Sequence, residues 1–243
     1  MFFRGGCGII EAMEMNERLE QLKSRIGGEE KEKFDLFFRL LTEYNRRYNL
    51  TAITQEKDVF YKHFLDSAAG EFIFAQGTRA IEIGSGAGFP SLVVKLLRPD
   101  ISFTLVESVG KKCEFLRVAV ERLALSGVTV INARAEDLAK REEFREKFSV
   151  ACARAVAFLD TLSEYCLPFV QRGGVFLAYK GEAEEEIEKA KRAIGILGGR
   201  IGKIYSYELP ENYGKRTLVV VDKVENTPAK YPRGNGKERK SPL

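Results

Sequence analysis

Ile81-Glu82-Ile83-Gly84-Ser85-Gly86-Ala87-Gly88-Phe89-Pro90 is the stretch on which the fold turns. A short apolar run carries one acid, and three glycines follow at alternate positions before a second apolar run opens at Leu92. Glycine admits positive φ and lets another molecule approach the backbone closely. The helix start expected behind it offers N–H groups with no partner inside the helix. A dinucleotide-binding turn is spaced GxGxxG, its third glycine allowing tight packing beneath a pyrophosphate. Counted from Gly84, that third place holds Phe89, which is too bulky.

Outward from this turn, short apolar strands alternate with amphipathic helices. Strands are expected at 79–83, 102–107, 128–132, 148–154, 174–180, 200–207 and 217–222, with helices near 90–98, 111–125, 136–145, 158–169 and 183–197. Such alternation implies right-handed βαβ units and a mainly parallel sheet. No helix-length segment separates the last two strands, and the linker Glu208–Arg216 holds Pro210 and Gly214, so those two pair antiparallel. Seven strands ending in this way are the α/β, Rossmann-like arrangement of class I methyltransferases. Residues 76–224 form that domain. Residues 16–75 read as a helical cap: Phe34, Phe37, Phe38, Leu41, Tyr44 and Tyr48 fall at three- and four-residue spacing, one apolar stripe. They are expected to be packing residues, not a base-stacking platform. A second cap helix runs from Thr54 or Lys57 to Phe74. Residues 1–15 read as a disordered extension, with Met13 and Met15 as alternative starts. Residues 225–243, rich in Pro and Gly, are expected to form no regular element.

Composition narrows the class. The 243 residues are 44% hydrophobic and 30% charged, enough for one large domain with an appended element. No apolar run approaches the roughly 20 residues of a membrane span. Four irregularly spaced cysteines and one histidine argue against zinc and for small buried thiols in a reduced cytoplasm. The formal net charge is +4. Lys223, Lys230, Arg233, Lys237, Arg239 and Lys240 gather in the tail, and such a basic tail reads equally as a footprint for a polyanion or as a solvated terminus.

The pattern acid-x-Gly-x-Gly-x-Gly favours a ligand carrying a sulfonium and an ammonium, S-adenosylmethionine, over NAD. Gly84, Gly86, Gly88 and Phe89 are the loop's candidate contacts. Glu107 ends the next strand, where a carboxylate accepts both ribose hydroxyls of a nucleoside. Ala135 and Glu136 stand in the loop expected to meet the adenine, although an acid there also complements a helix dipole. At the end of the fourth strand, Ala151-Cys152-Ala153-Arg154-Ala155-Val156 lacks the acidic or Asn residue followed by Pro-Pro of adenine amino methyltransferases. Cys152 between alanines is no candidate for covalent catalysis. A target that is already nucleophilic remains, such as N-7 of guanine, which has a free lone pair and loses no proton. That reaction needs alignment and effective concentration, not a base. Arg154 and Lys180, at adjacent strand ends, are the candidate catalytic residues that position the base or its phosphate. His63 either helps close the cap over the methionine end or is a helix residue bonded to Asp66 or backbone.

Several segments together resemble the small-subunit ribosomal RNA methyltransferase G family, also called glucose-inhibited division protein B. They are Asn49-Leu50-Thr51-Ala52-Ile53, His63-Phe64-Leu65-Asp66-Ser67, Ile83 to Pro90, Val106-Glu107-Ser108 with Lys111-Lys112, Arg134-Ala135-Glu136, Arg154-Ala155-Val156 and Leu177 to Gly181. The tail from Thr227 to Arg233 and the ending Lys240-Ser241-Pro242-Leu243 are similar as well. The resemblance spans residues 16 to 243. It implies N-7 methylation of one guanine in the 530 loop of 16S ribosomal RNA, with the rRNA or the small ribosomal subunit as partner. It carries cofactor contact to Gly84, Phe89, Glu107, Ala135, Glu136 and Arg154. Two departures, Glu82 where the family often has Asp and Ser91 where it often has Gly, leave the loop's logic intact. A cytoplasmic monomer with no metal and no membrane is expected. The alternatives are a class I methyltransferase for another RNA or a small molecule, and a non-catalytic adenosylmethionine-binding regulator.

Overall fold

The computed structural model describes residues 6–243, with side chains from residue 14 onward. Helices α1 (Gly6–Gly27) and α2 (Lys31–Tyr48) open the chain. Residues 6–15, expected in a disordered extension, thus belong to α1, and residues 1–5 lie outside the described residues. The cause is visible in the spacing: Met15, Leu19, Leu22 and Ile26 recur every three or four residues and are all buried. The α2 stripe is packing, as expected, with Phe34, Phe37, Leu40 and Leu41 inside. Phe37 lies 5.5 Å from the Phe64 ring and 5.3 Å from the Phe89 ring, so the cap is seated directly on the glycine loop.

The expected second cap helix is shorter and not uniform. It comprises α3 (Glu56–Val59), a π-helical turn over Phe60–Leu65, and α4 (Asp66–Ala68). A π turn inside a helix tends to mark a functional position, and this one carries Lys62 and His63.

The sheet holds seven strands in the order β3-β2-β1-β4-β5-β7-β6. They are β1 (Arg79–Ile83), β2 (Ser102–Glu107), β3 (Val128–Asn132), β4 (Phe148–Arg154), β5 (Val170–Lys180), β6 (Gly199–Glu208) and β7 (Lys215–Lys223). β1 to β5 run parallel, and β7 lies antiparallel between β5 and β6. Between them lie α5 (Ser91–Leu97), α6 (Gly110–Arg122), α7 (Ala135–Leu138), α8 (Leu159–Cys166) and α9 (Glu184–Ile196). Separate cores cover the two faces, one holding the cap with α5 and α6, the other α7 to α9. Order and direction are those of the class I methyltransferase sheet.

Two expectations need correction. The helix expected over 136–145 ends at Leu138, because the chain must double back into β4: Glu146 takes a φ of 53° and donates its N–H to Pro168 O. The tail also forms a regular element, α10 (Lys237–Lys240). Among the described residues, no helix is long and apolar enough to cross a membrane.

Candidate functional site

The C-terminal ends of β1, β2 and β4 bring the loop, Glu107 and Arg154 to one edge of the sheet, where ligands bind in open α/β folds. Gly84, Gly86 and Gly88 all take positive φ, and their roles differ. A Cβ on Gly84 would lie 2.7 Å from Val156 Cγ2, and one on Gly88 would strike Leu92. Beside Gly86 the nearest atom is Gly84 O, at 3.8 Å. Two glycines therefore serve packing, and Gly86 alone borders open space.

Glu107 holds this loop. Its Oε2 accepts from Gly86 N at 3.0 Å and its Oε1 from Val109 N at 2.8 Å. Ser108 Oγ makes a long third contact to Oε1, at 3.5 Å. A carboxylate has about four lone-pair sites, so capacity remains on Oε2 for a ribose hydroxyl. Glu82 is fully buried, and among the described residues its carboxylate oxygens have no well-formed hydrogen bond, Ser91 and Ser85 being the polar side chains nearest to serve it. Burial pushes its pKa up to about 8, with Ser91 and the Arg154 charge pulling the other way. A buried acid without a well-formed partner fits a loop that awaits a cationic group.

Two cavities open at this end of the sheet. The first is lined by Gly84, Ala135 and Glu136 together with Val156, Tyr165 and Arg239. The second, of about 320 Å³, lies between the cap and the ends of β4 and β5. It brings together Arg154 and Lys180 with His63, Asp66, Tyr179 and Arg216. Arg154 is thus on the wall of the second cavity, not the first. Phe89 is a buried link between the two regions: His63 stacks on its ring at 4.4 Å, and the Arg154 guanidinium sits 5.1 Å from its centroid.

Arg154 is fixed from three directions. Nη1 donates to Lys62 O at 2.9 Å and to Asp66 Oδ2 at 3.0 Å, and Nη2 donates to His63 Nδ1 at 2.8 Å. Because Arg154 can only donate, His63 Nδ1 is unprotonated and Nε2 carries the hydrogen that reaches Thr51 Oγ1 at 2.9 Å. Burial and then the Arg154 charge lower the His63 pKa to about 3. His63 is a neutral orienting group bonded to Arg154 and Thr51, and Asp66, one of the partners expected from the sequence, bonds Arg154 instead. Asp66 Oδ1 also accepts from Tyr207 OH at 3.0 Å, with Arg216 Nε 3.4 Å away. Lys180 Nζ donates to Ala157 O at 2.7 Å and Glu186 Oε1 at 2.5 Å, which holds the loop after β4.

Sequence reasoning missed Asp66, Tyr207, Arg216, Tyr165 and Arg239. Asp66 was within a segment shared with the family. Nothing local marks the others: Tyr207 lies 141 residues from Asp66, Arg216 lies farther still, and Arg239 lies 83 from Val156. The tail cations also read differently in three dimensions. Arg233 pairs with buried Glu164 through Nε and Nη2, at 3.0 and 2.8 Å, and Lys223 is itself buried against Glu146. Cys113, Cys152 and Cys166 are buried free thiols. Among the described residues, no group of three or more His, Cys, Asp or Glu is placed to hold a metal.

Comparison with known proteins agrees with this geometry. Residues 30–212 match the family model described as rRNA small subunit methyltransferase G. The chain is 44% identical over 232 residues to the Ribosomal RNA small subunit methyltransferase G of Lactobacillus delbrueckii subsp. bulgaricus, covering 93% of this chain and 97% of that one. It is 43% identical over 230 residues to the protein of the same name from Staphylococcus aureus, covering 93% and 96%. Among solved structures, M. jannaschii TYW2 in complex with AdoMet superposes with a TM-score of 0.54 at 15% identity, over 70% of this chain and 77% of that one. MtNAS in complex with MTA and tNA superposes with a TM-score of 0.52 at 19% identity, over 93% and 83%. These two likenesses show the fold.

Proposed function

The chain belongs to the rRNA small subunit methyltransferase G family, and from that premise we propose that it transfers a methyl group from S-adenosylmethionine to N-7 of a guanine in the 530 loop of 16S ribosomal RNA. The observation that carries this reading is the pair of cavities lined by the neighbouring residues Val156 and Ala155 after β4, one bordered by Gly84 of the glycine loop and one by the locked cations Arg154 and Lys180. The buried carboxylate of Glu82, the free space at Gly86 and the remaining acceptor capacity of Glu107 fit adenosylmethionine. Gly84, Gly86, Gly88, Phe89, Glu107, Ala135 and Glu136 form or support that half.

When bound, adenosylmethionine supplies the methyl carbon: its bond to sulfur breaks as the bond to the substrate nitrogen forms, and adenosylhomocysteine leaves. The residues of the second cavity do the positioning. Arg154, held by Asp66 and His63, presents a fixed cation, and Arg216 and Lys180 add positive charge on the same wall. Such a wall suits the O6 acceptor of guanine and the adjoining phosphates. His63 has both nitrogens engaged, so this side chain is not available as a general base. N-7 requires none. The work of the pocket is to hold the lone pair in line with the methyl group and to exclude water. Such a substrate places the enzyme in the cytoplasm, with the small ribosomal subunit or its rRNA as partner.

The test is transfer of labelled methyl from adenosylmethionine to purified small-subunit rRNA and to intact subunits, with the modified base mapped afterwards. Label on a single N-7 guanine in the 530 loop is the expected result. Label on another RNA, or none, would overturn the reading.

A further inference from the structure

We propose that the C-terminal segment completes the cofactor pocket, with Arg239 as an adenine-contacting residue supplied from the end of the chain. This rests on the adenosylmethionine reading above and names a binding residue that the glycine loop does not contain.

The segment is anchored as if its position mattered. Arg145 donates to Thr227 O at 2.8 Å and to Tyr231 O at 2.9 Å. Arg233 forks onto buried Glu164 of α8, and Tyr231 enters the core beneath it. Glu238 is fully buried, and its backbone oxygen accepts from Thr161 Oγ1 at 2.9 Å. These contacts fix α10 against α8, beside Tyr165.

The next residue, Arg239, does no anchoring of this kind. Its side chain is exposed and lines the first cavity together with Tyr165, Gly84 and Glu136. It is held loosely, by a long 3.4 Å contact to Val156 O and a side-chain hydrogen bond with Tyr165. A guanidinium is planar, weakly hydrated and stacks on aromatic faces. With Glu107 taking the ribose, the base extends over the ends of β2 and β3 into this cavity, where Ala133 and Ala135 leave room for a flat ring. Burial raises the Tyr165 pKa first of all, and the hydrogen bond with Arg239 pulls the other way, so the two side chains stand together at this wall. A strap serving only stability needs no cation at the cavity edge.

The experiment is calorimetric titration of adenosylhomocysteine and of adenosine into the full chain, its Arg239→Ala variant and its Arg239→Lys variant, with ligand-free melting of each. Arg239→Ala is expected to weaken both ligands roughly 3- to 30-fold, the range of a cation stacked on a π face, at an unchanged melting temperature. Arg239→Lys should fall between, because it keeps the charge and loses the plane. Equal affinity in all three proteins overturns the proposal. So does a loss of affinity matched by a lower melting temperature, or a loss confined to RNA binding. A parent protein that binds neither ligand overturns the adenosylmethionine reading itself.

Discussion

The cavity beside the glycine loop is walled largely by backbone and short side chains, Gly84, Ala133 and Ala135 among them, whereas the cap-side cavity is walled by charged side chains that hold one another. In the first, specificity comes from how closely a ligand can approach the main chain at the strand ends, with Tyr165 of α8 and Arg239 of the tail completing the wall. In the second, Arg154 depends on Lys62, His63 and Asp66, and Asp66 depends in turn on Tyr207 from β6. Such a network exists only once the cap, β4 and β6 have come together. The contrast predicts that damage to the two regions will separate binding from transfer.

The largest effect is expected from truncation after Asn226. It removes Arg233 and leaves Glu164, which is 1% exposed, without its cation. Breaking a buried pair from one side costs about 3–5 kcal/mol, and loss of Tyr231 from the core adds to this. Melting temperature and adenosylmethionine affinity should both fall. A truncated protein that melts normally and binds the cofactor normally would show that the tail is no part of the first region.

Asp66→Ala should come next and act on the other region. It frees Arg154 and Arg216 in a half-closed pocket and strands the Tyr207 hydroxyl. A cost of about 3–5 kcal/mol is the scale for such a pair, expected mainly as lost methyl transfer, on the order of 100-fold or more. Cofactor affinity should hold within about threefold. Equal losses in calorimetry and in transfer would erase the distinction between the two cavities.

Glu107→Ala should be milder. It deletes acceptors for Gly86 N and Val109 N together with the expected ribose contacts. The loss is about 1–3 kcal/mol in cofactor binding, and a smaller drop in ligand-free stability should accompany it, because the loop is tied to this carboxylate before any ligand arrives. Unchanged adenosylmethionine affinity by calorimetry would remove Glu107 from the ribose site.

The same contrast explains what was legible in the sequence. All seven strands and the antiparallel hairpin followed from local alternation, since strand burial repeats within a few residues. The loop followed from its glycines, because positive φ is a demand on one residue at a time. The π-helical turn and the Asp66 network did not, since each meets a partner far along the chain: Arg154 is 92 residues from Lys62, and Tyr207 is 141 from Asp66. The tail cations read equally as a polyanion footprint or a solvated terminus, because sequence shows charge but not pairing such as that of Arg233 with Glu164, 69 residues away. The helix over 136–145 failed for a related reason: its spacing was helical, and the return to β4 overrode it.

The smallest expected effects, per pH unit, concern two buried groups on either side of Phe89, and they have opposite sign. Glu82 has a pKa of about 8 in the folded protein against an ordinary 4.5. Between those values the folded state keeps a proton that the unfolded chain has lost, so this contribution is full below about pH 4.5 and is lost as pH rises through 8. His63 has a pKa of about 3 against an ordinary 6.5. There the unfolded chain holds the extra proton, so the contribution is full above 6.5 and is lost as pH falls towards 3. From 4.5 to 6.5 the two oppose each other. Between 6.5 and about 7.5 Glu82 sets the trend, with a slope of at most about 1.4 kcal/mol per pH unit. Near 8 it is opposed by Lys223, whose pKa burial lowers to about 8 against an ordinary 10.5. Ligand-free stability, read from urea midpoints at pH 6.5, 7 and 7.5, should therefore decline in the parent protein and not decline in Glu82→Gln. His63→Gln should keep the parent's decline over that range, because a neutral imidazole has no proton to exchange there. Its methylation pH profile should have the parent's shape, with no limb near 6.5 in either protein. A limb present in the parent and absent from His63→Gln would make His63 a titrating participant and undo its reading as a fixed acceptor for Arg154.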